Sequence, residues 1–133
     1  MKLLDTTFLI HYWGGHRNVR RYLERNDGSE FATTTLNLKE IAVGRKLQGK
    51  FDRQEILATF DWTTILPFEP DHAFIAAEFE AELHRSERIN QDGINSLAGD
   101  LLIAAVAKQL GGTVVTENTD DFERFDGVSA ETY

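Results

Sequence analysis

Asp100-Leu101-Leu102-Ile103-Ala104-Ala105-Val106-Ala107-Lys108-Gln109-Leu110-Gly111-Gly112-Thr113-Val114-Val115-Thr116 is the stretch that decides the fold. Residues 100–110 are apolar on nearly every side, which marks a helix buried against a sheet rather than one with a wet face. Gly111-Gly112 supplies the cap and turn that end it, and Val114-Val115 then reads as a short central strand. A buried helix feeding a buried strand is half of a parallel α/β unit.

The same alternation runs through the rest of the chain. Lys2-Leu3-Leu4 is a short apolar strand that ends at Asp5-Thr6-Thr7, side chains suited to capping the next helix. Arg17 to Arg25 place Val19, Tyr22 and Leu23 at helical spacing, with Asn26-Asp27-Gly28 as the stop. Phe31 to Thr34 is a second strand, and in the helix after it Leu36, Ile41, Val43 and Leu47 can share a buried face until Gly49. A helix capped by Asp52 runs to Phe60, and Thr63 to Leu66 forms a third strand ended by Pro67. After Pro70 comes the longest helical pattern, with Ile75, Phe79 and Leu83 at i, i+4 and i+8. Residues 86–99 are polar and contain Gly93 and Gly99, so they read as a loop. A short helix from Asn118 or Thr119 through Phe125 and an edge strand at Val128-Ser129 complete the pattern. Strands alternating with helices predict a parallel sheet covered on both faces.

A chain of 133 residues with 41% hydrophobic composition has the size of one domain with a sizeable core, so residues 1–133 are expected to form a single unit. It has no cysteine, which excludes disulfides and thiolate zinc sites and leaves oxygen or imidazole as the donors for any metal. The apolar start is interrupted by Asp5 and His11 and is too short for a membrane span or a signal peptide, so a soluble, cytoplasmic protein with no membrane partner is expected. The net charge of −8 is unevenly spread. Residues 1–53 hold 10 Lys/Arg against 6 Asp/Glu, whereas residues 54–133 hold 4 against 16. Basic side chains beside an acidic cluster suit a metal-dependent nuclease, since Lys and Arg hold phosphates while carboxylates hold a cation. Two solvated faces would give the same asymmetry.

The acids that matter are those at the ends of strands or the starts of helices, where α/β folds build their sites. Asp5 stands at the end of the first strand, Glu40 about a turn into the helix after the second, and Asp100 at the opening of the buried helix. Asn118 and Asp121 follow the Val114-Val115 strand. Several carboxylates in one crevice repel and raise one another's pKa, so a fold keeps them mainly where a cation is expected. Magnesium and manganese take oxygen ligands and keep several waters, which a cluster of Asp and Glu suits. Each residue also has a plain reading: Asp5 as a helix cap, Asp100 as a first-turn acid facing the helix dipole, Glu40 as a surface residue. The four histidines, His11, His16, His72 and His84, have no metal-ligand spacing and read as surface or partly buried residues. Arg17, Arg20, Arg21 and Arg25 form the basic outer face of a helix, and Phe8, Leu9, Tyr12 and Trp13 read as core.

Four motifs taken together resemble a known family. Leu-Leu-Asp5-Thr-Thr-Phe-Leu-Ile, Thr34-Thr-Leu-Asn-Leu-Lys-Glu40-Ile, Gly99-Asp100-Leu-Leu-Ile-Ala-Ala and Val115-Thr-Glu-Asn118-Thr-Asp-Asp121-Phe-Glu-Arg-Phe look like those of a PIN domain of the VapC toxin type, in order and over nearly the whole chain. The resemblance implies a three-layer α/β/α sandwich with a mainly parallel sheet of four to five strands. It implies an endoribonuclease dependent on Mg²⁺ or Mn²⁺, acting as the toxin of a type II toxin–antitoxin pair, with metal or catalytic roles for Asp5, Glu40 and Asp100. A VapB-type antitoxin, a homodimer and an RNA substrate are implied as partners, transfer RNA being a common target in this family. The chain departs from the pattern where Asn118 stands in place of an acid. Either Asn118 ligates through its carbonyl oxygen, or Asp121 reaches in directly or through water.

A catalytically weak PIN module that binds RNA or a protein is the competing reading, and Asn118 and the high acidity are what favour it. A phosphatase that uses a second Asp two residues after the first ranks low, because that residue is Thr7.

Overall fold

The computed structural model describes residues 1–133. Five short strands, β1 (Lys2–Leu4), β2 (Phe31–Thr34), β3 (Thr64–Leu66), β4 (Thr113–Val115) and β5 (Ser129–Glu131), form one sheet in the order β3-β2-β1-β4-β5. Every neighbouring pair is parallel, with Leu3 opposite Ala32 on one side and Val114 on the other. Parallel pairing requires a crossover between strands. The helices supply them: α1 (Thr6–Trp13) and α2 (Arg17–Arg25), then α3 (Thr35–Leu47) and α4 (Arg53–Thr59), then α5 (Pro70–Arg85), α6 (Gln91–Ser96) and α7 (Ala98–Leu110), and finally α8 (Thr119–Glu123).

Alternation along the strands divides the interior in two, because successive side chains point to opposite faces of a sheet. Leu3 and Val114 join Phe79, Leu101, Ala105 and Phe122 under α5, α7 and α8. Leu4 and Val115 join Phe8, Leu9, Tyr22, Ile41 and Phe60 under α1 to α4. The result is the three-layer α/β/α sandwich with a parallel sheet. Val114 and Val115 are fully buried on an inner strand, although β1 is the middle one. Glu131 stitches β5 to the rest, accepting hydrogen bonds from the Lys2 ammonium and, at 2.5 Å, from the Tyr22 hydroxyl. No helix is long and apolar enough to cross a membrane.

Three expectations need correction. Residues 86–99 are not a loop, since they contain α6 and the first two residues of α7. Asn90 caps α6 by accepting from the Gly93 N–H at 2.8 Å, and Ile94, Leu97 and Leu101 bury one face at i, i+3 and i+7 beneath an otherwise polar sequence. Val43 and Leu47 do not extend the buried face of α3; Leu47 is 84% exposed, and the helix buries Asn37 and Ile41 instead. His72 is buried rather than at the surface, and its Nδ1 accepts from the Glu69 N–H at 2.9 Å to cap α5.

The topology also fixes where a site can form. From β1 the chain crosses to β2 on one side, and it later returns to place β4 on the other. The order reverses at β1, and the crevice outside the carboxyl ends of β1 and β4 is the switch point at which open parallel sheets bind ligands. Asp5 follows β1 and Thr116 follows β4 at this edge.

Candidate functional site

Asp5 caps α1, its side chain accepting from the Phe8 N–H at 2.9 Å, while its own N–H reaches the Val115 carbonyl. The residue is only 8% exposed. Burial pushes its carboxyl above the usual carboxylate range and Glu117 adds to this, while the Thr116 hydroxyl, the Phe8 N–H and His11 act the other way. Capping does not account for an acid here, because Asn or Ser would cap as well without burying a charge.

Asp100 lies in the first turn of α7. Burial pushes its carboxyl up to about 6, with Asp121, Asp5 and Glu40 contributing in that order. Carboxylates from the end of β1, from α3 and from α8 are therefore near enough to oppose the ionisation of Asp100 in α7. Glu40 reaches the start of α7, since a Cβ placed on Gly99 would lie 3.7 Å from its Oε1. Of the two residues expected after β4, Asp121 is the one whose charge Asp100 feels. Asn118 precedes α8, its N–H donating to Thr116 Oγ1 at 3.0 Å, and its side chain caps nothing.

A chain of hydrogen bonds not foreseen from the sequence holds Glu40. Asn37 is 1% exposed, and its Oδ1 accepts from the Thr34 N–H at 3.1 Å and the Thr34 hydroxyl at 2.6 Å. That orientation turns Nδ2 toward Thr6 Oγ1, 3.0 Å away, and Thr6 donates in turn to Glu40 Oε2 at 2.7 Å. An amide nitrogen only donates, so Asn37 commits the Thr6 proton to Glu40. Thr6 is thus the holder of an acid and not itself a cap. The sequence carried one trace of this, Asn37 standing three residues after Thr34 as in a capping box. Removing the hydroxyl with Thr6→Val is expected to weaken Mn²⁺ binding by about 10- to 100-fold, as loss of a group that orients a ligand does elsewhere. Thr6→Ser should retain affinity, and calorimetric titration checks both.

On the far side of Asp5, Tyr133 packs edge-on against Phe8, and its hydroxyl lies 2.9 Å from His11 Nδ1. Burial, then Asp5 and Glu117, hold this phenol well above its usual range. Nothing in the sequence motifs pointed to Tyr133 or to the His11–His16 ring stack at 4.2 Å.

The donor set is all oxygen, which fits a hard divalent cation such as magnesium or manganese better than zinc or copper. No three His, Asp or Glu side chains are drawn together as a ready-made cage. Magnesium needs none, because it is commonly held by one or two carboxylates and keeps several waters.

A PIN domain family model matches residues 2–128. Among solved structures, VapBC2 from Rickettsia felis bound to a DNA fragment from its promoter superposes with a TM-score of 0.77 at 20% identity, over 99% of this chain and 98% of that one. FitAcB from Neisseria gonorrhoeae gives a TM-score of 0.70 at 28% identity, over 98% and 96%. VapBC-5 from Mycobacterium tuberculosis, a member of the VapBC family of toxin–antitoxin systems, gives 0.63 at 29% identity, over 98% and 95%. No curated protein matches the sequence significantly.

Proposed function

Since this chain belongs to the PIN-domain family, we propose that it is a single PIN domain over residues 1–133 acting as the toxin of a VapBC-type pair: an endoribonuclease dependent on Mg²⁺ or Mn²⁺. The observation that supports this reading is that carboxylates from three other elements, Asp5, Glu40 and Asp121, oppose the ionisation of Asp100 near the carboxyl edge of a parallel sheet. Carboxylates that repel in the free protein are what a bound cation would relieve.

In this reading Asp5, Glu40 and Asp100 hold the cation, and Asp121 completes the set directly or through a water. Asn118 is the alternative fourth donor. The bound cation would lower the pKa of a water and neutralise charge on the scissile phosphate. The protein's own part is positional. Phe8 N–H fixes the rotamer of Asp5, Thr6 fixes Glu40, and α7 presents Asp100 from a rigid buried helix. The VapBC neighbours are toxin–antitoxin systems, which supports a VapB-type antitoxin as the partner that covers the site. A homodimer in the cytoplasm and an RNA substrate, transfer RNA being the first to try, belong to the same proposal.

A second reading is a PIN module that binds RNA or a protein without appreciable turnover. Asn118 in the place of an acid, and carboxylates that stand apart in this structure, favour it. Incubating total cellular RNA with wild-type protein and with Asp100→Asn, in Mg²⁺, in Mn²⁺ and in EDTA, separates the two. Discrete fragments that need both the metal and Asp100 are the expected result. Folded, antitoxin-free protein that cuts nothing in any buffer would leave the binding module as the answer.

A further inference from the structure

Residues 54–133 carry only four basic side chains against 16 acids, yet two of the four meet in one place. Arg88 and Arg124 line a polar hollow of about 250 Å³ together with Asn90, Gly93, Ser96 and Asp121. Arg124 follows α8, Arg88 precedes α6, and Asp121 joins the hollow directly to the acidic cluster. We propose that this hollow is a phosphate subsite, holding a backbone phosphate of single-stranded RNA next to the one being cut; the proposal rests on the ribonuclease reading above.

A protein of net charge −8 with four carboxylates at its working edge repels a polyanion, so cations near that edge must offset the repulsion. The two arginines are free to do so. Arg88 forms no ion pair, and Arg124 Nε stands 4.0 Å from Asp121 Oδ1, beyond hydrogen-bond length, with half of its side chain exposed. Guanidinium groups present paired N–H donors in the geometry that phosphate oxygens accept. Asn90 and Ser96 add polar groups to the wall, but their own side chains are engaged, Asn90 with the Gly93 N–H and Ser96 with the Gly93 carbonyl. By contrast, the arginines of α2 point outward on a helix whose exposed face includes Arg17, Arg20 and Arg21, and Arg21 does not line this hollow.

The test measures binding rather than cutting. A short fluorescein-labelled single-stranded RNA is titrated in EDTA against Asp100→Asn protein, which keeps the RNA intact, over a series of KCl concentrations. Each phosphate contact on a single strand contributes about 0.7 to the slope of log K against log salt. Arg88→Gln and Arg124→Gln should each flatten the slope, by about that amount when combined, and Arg21→Gln should leave it alone. In the active protein the same two changes should raise KM at little change in kcat. Unmoved slopes for Arg88→Gln and Arg124→Gln would overturn the subsite, and so would an equal change for Arg21→Gln, which would mean diffuse attraction. Wild-type cleavage is scored separately: slopes that shift as expected in a protein that never cuts would retain the subsite and reject the nuclease.

Discussion

Asp5→Asn is expected to reduce metal-dependent RNA cleavage by at least about 100-fold, the several kcal/mol of charge stabilisation that a misplaced cation forfeits. The fold should not notice. Asn caps a helix as well as Asp, so the bond from the Phe8 N–H survives, and the neutral amide has no buried charge to desolvate. Asp5→Ala separates the two roles of the residue. It loses the cap as well, at a cost of about 1 kcal/mol and roughly 4 °C in Tm for a domain of this size. Gel assays on the identified RNA fragment, alongside thermal melts of the three proteins, decide the matter. A cleaving Asp5→Asn protein would reduce Asp5 to a helix cap.

Asp100→Asn should do the reverse to stability: it should make the metal-free protein more stable at neutral pH. The carboxyl titrates at about 6 in the folded chain because burial and the charges of Asp121, Asp5 and Glu40 oppose its ionisation. The folded state therefore keeps the proton between the unfolded value near 4 and about 6, and the stability it contributes is present in acid and lost as pH rises through that window. At pH 7.5 the loss is complete. Replacing the acid removes it, a gain on the order of 1 kcal/mol after solvent screening of a partly buried group, or about 4 °C in Tm. The advantage should shrink toward pH 4.5 and vanish once the native Asp100 is itself protonated. Saturating Mg²⁺ should reverse the ranking, raising the wild-type melting temperature by mass action and leaving Asp100→Asn where it was. A wild-type protein already more stable than Asp100→Asn in EDTA at pH 7.5 would contradict the crowding of acids at this position.

The parts of the fold that the sequence disclosed are those set by short-range pattern. Leu3-Leu4, Val114-Val115 and the all-round apolar face of residues 100–110 could hardly be anything but inner strands and a buried helix, and the parallel sheet follows from their alternation. Helix α6 escaped because its one core residue, Ile94, and the Leu97 that caps its end are set among Asn, Gln, Asp, Gly and Ser, and no window of that length carries a readable period. The buried face of α3 was overextended for a different reason. Val43 stands two residues after Ile41, about 200° further round the helix, so it faces away from the side that Ile41 buries, and Leu47 a turn later follows it into solvent. At the site, Asp5, Glu40, Asp100, Asn118 and Asp121 are singled out by position in their elements, and the structure places Asp121, Asp5 and Glu40 within electrostatic reach of Asp100. Asn37 and Thr6 were not legible, because their bond joins residues 31 apart and neither side chain has a chemistry that announces a partner. Arg88 and Arg124 lay 36 positions apart in an acidic half, where no pattern pairs them.

The four carboxylates come from residues 5, 40, 100 and 121, carried by separate elements that meet only once the sheet has closed. A chain emerging from the ribosome has no complete set until its last helix is made, and β5 must still add itself beside β4 to finish the sheet. For a protein whose substrate would surround it during its own synthesis, lateness is a safeguard. On the ribonuclease reading, an abortive or clipped copy that ends before α8 lacks Asp121 and would spare the machinery that produced it.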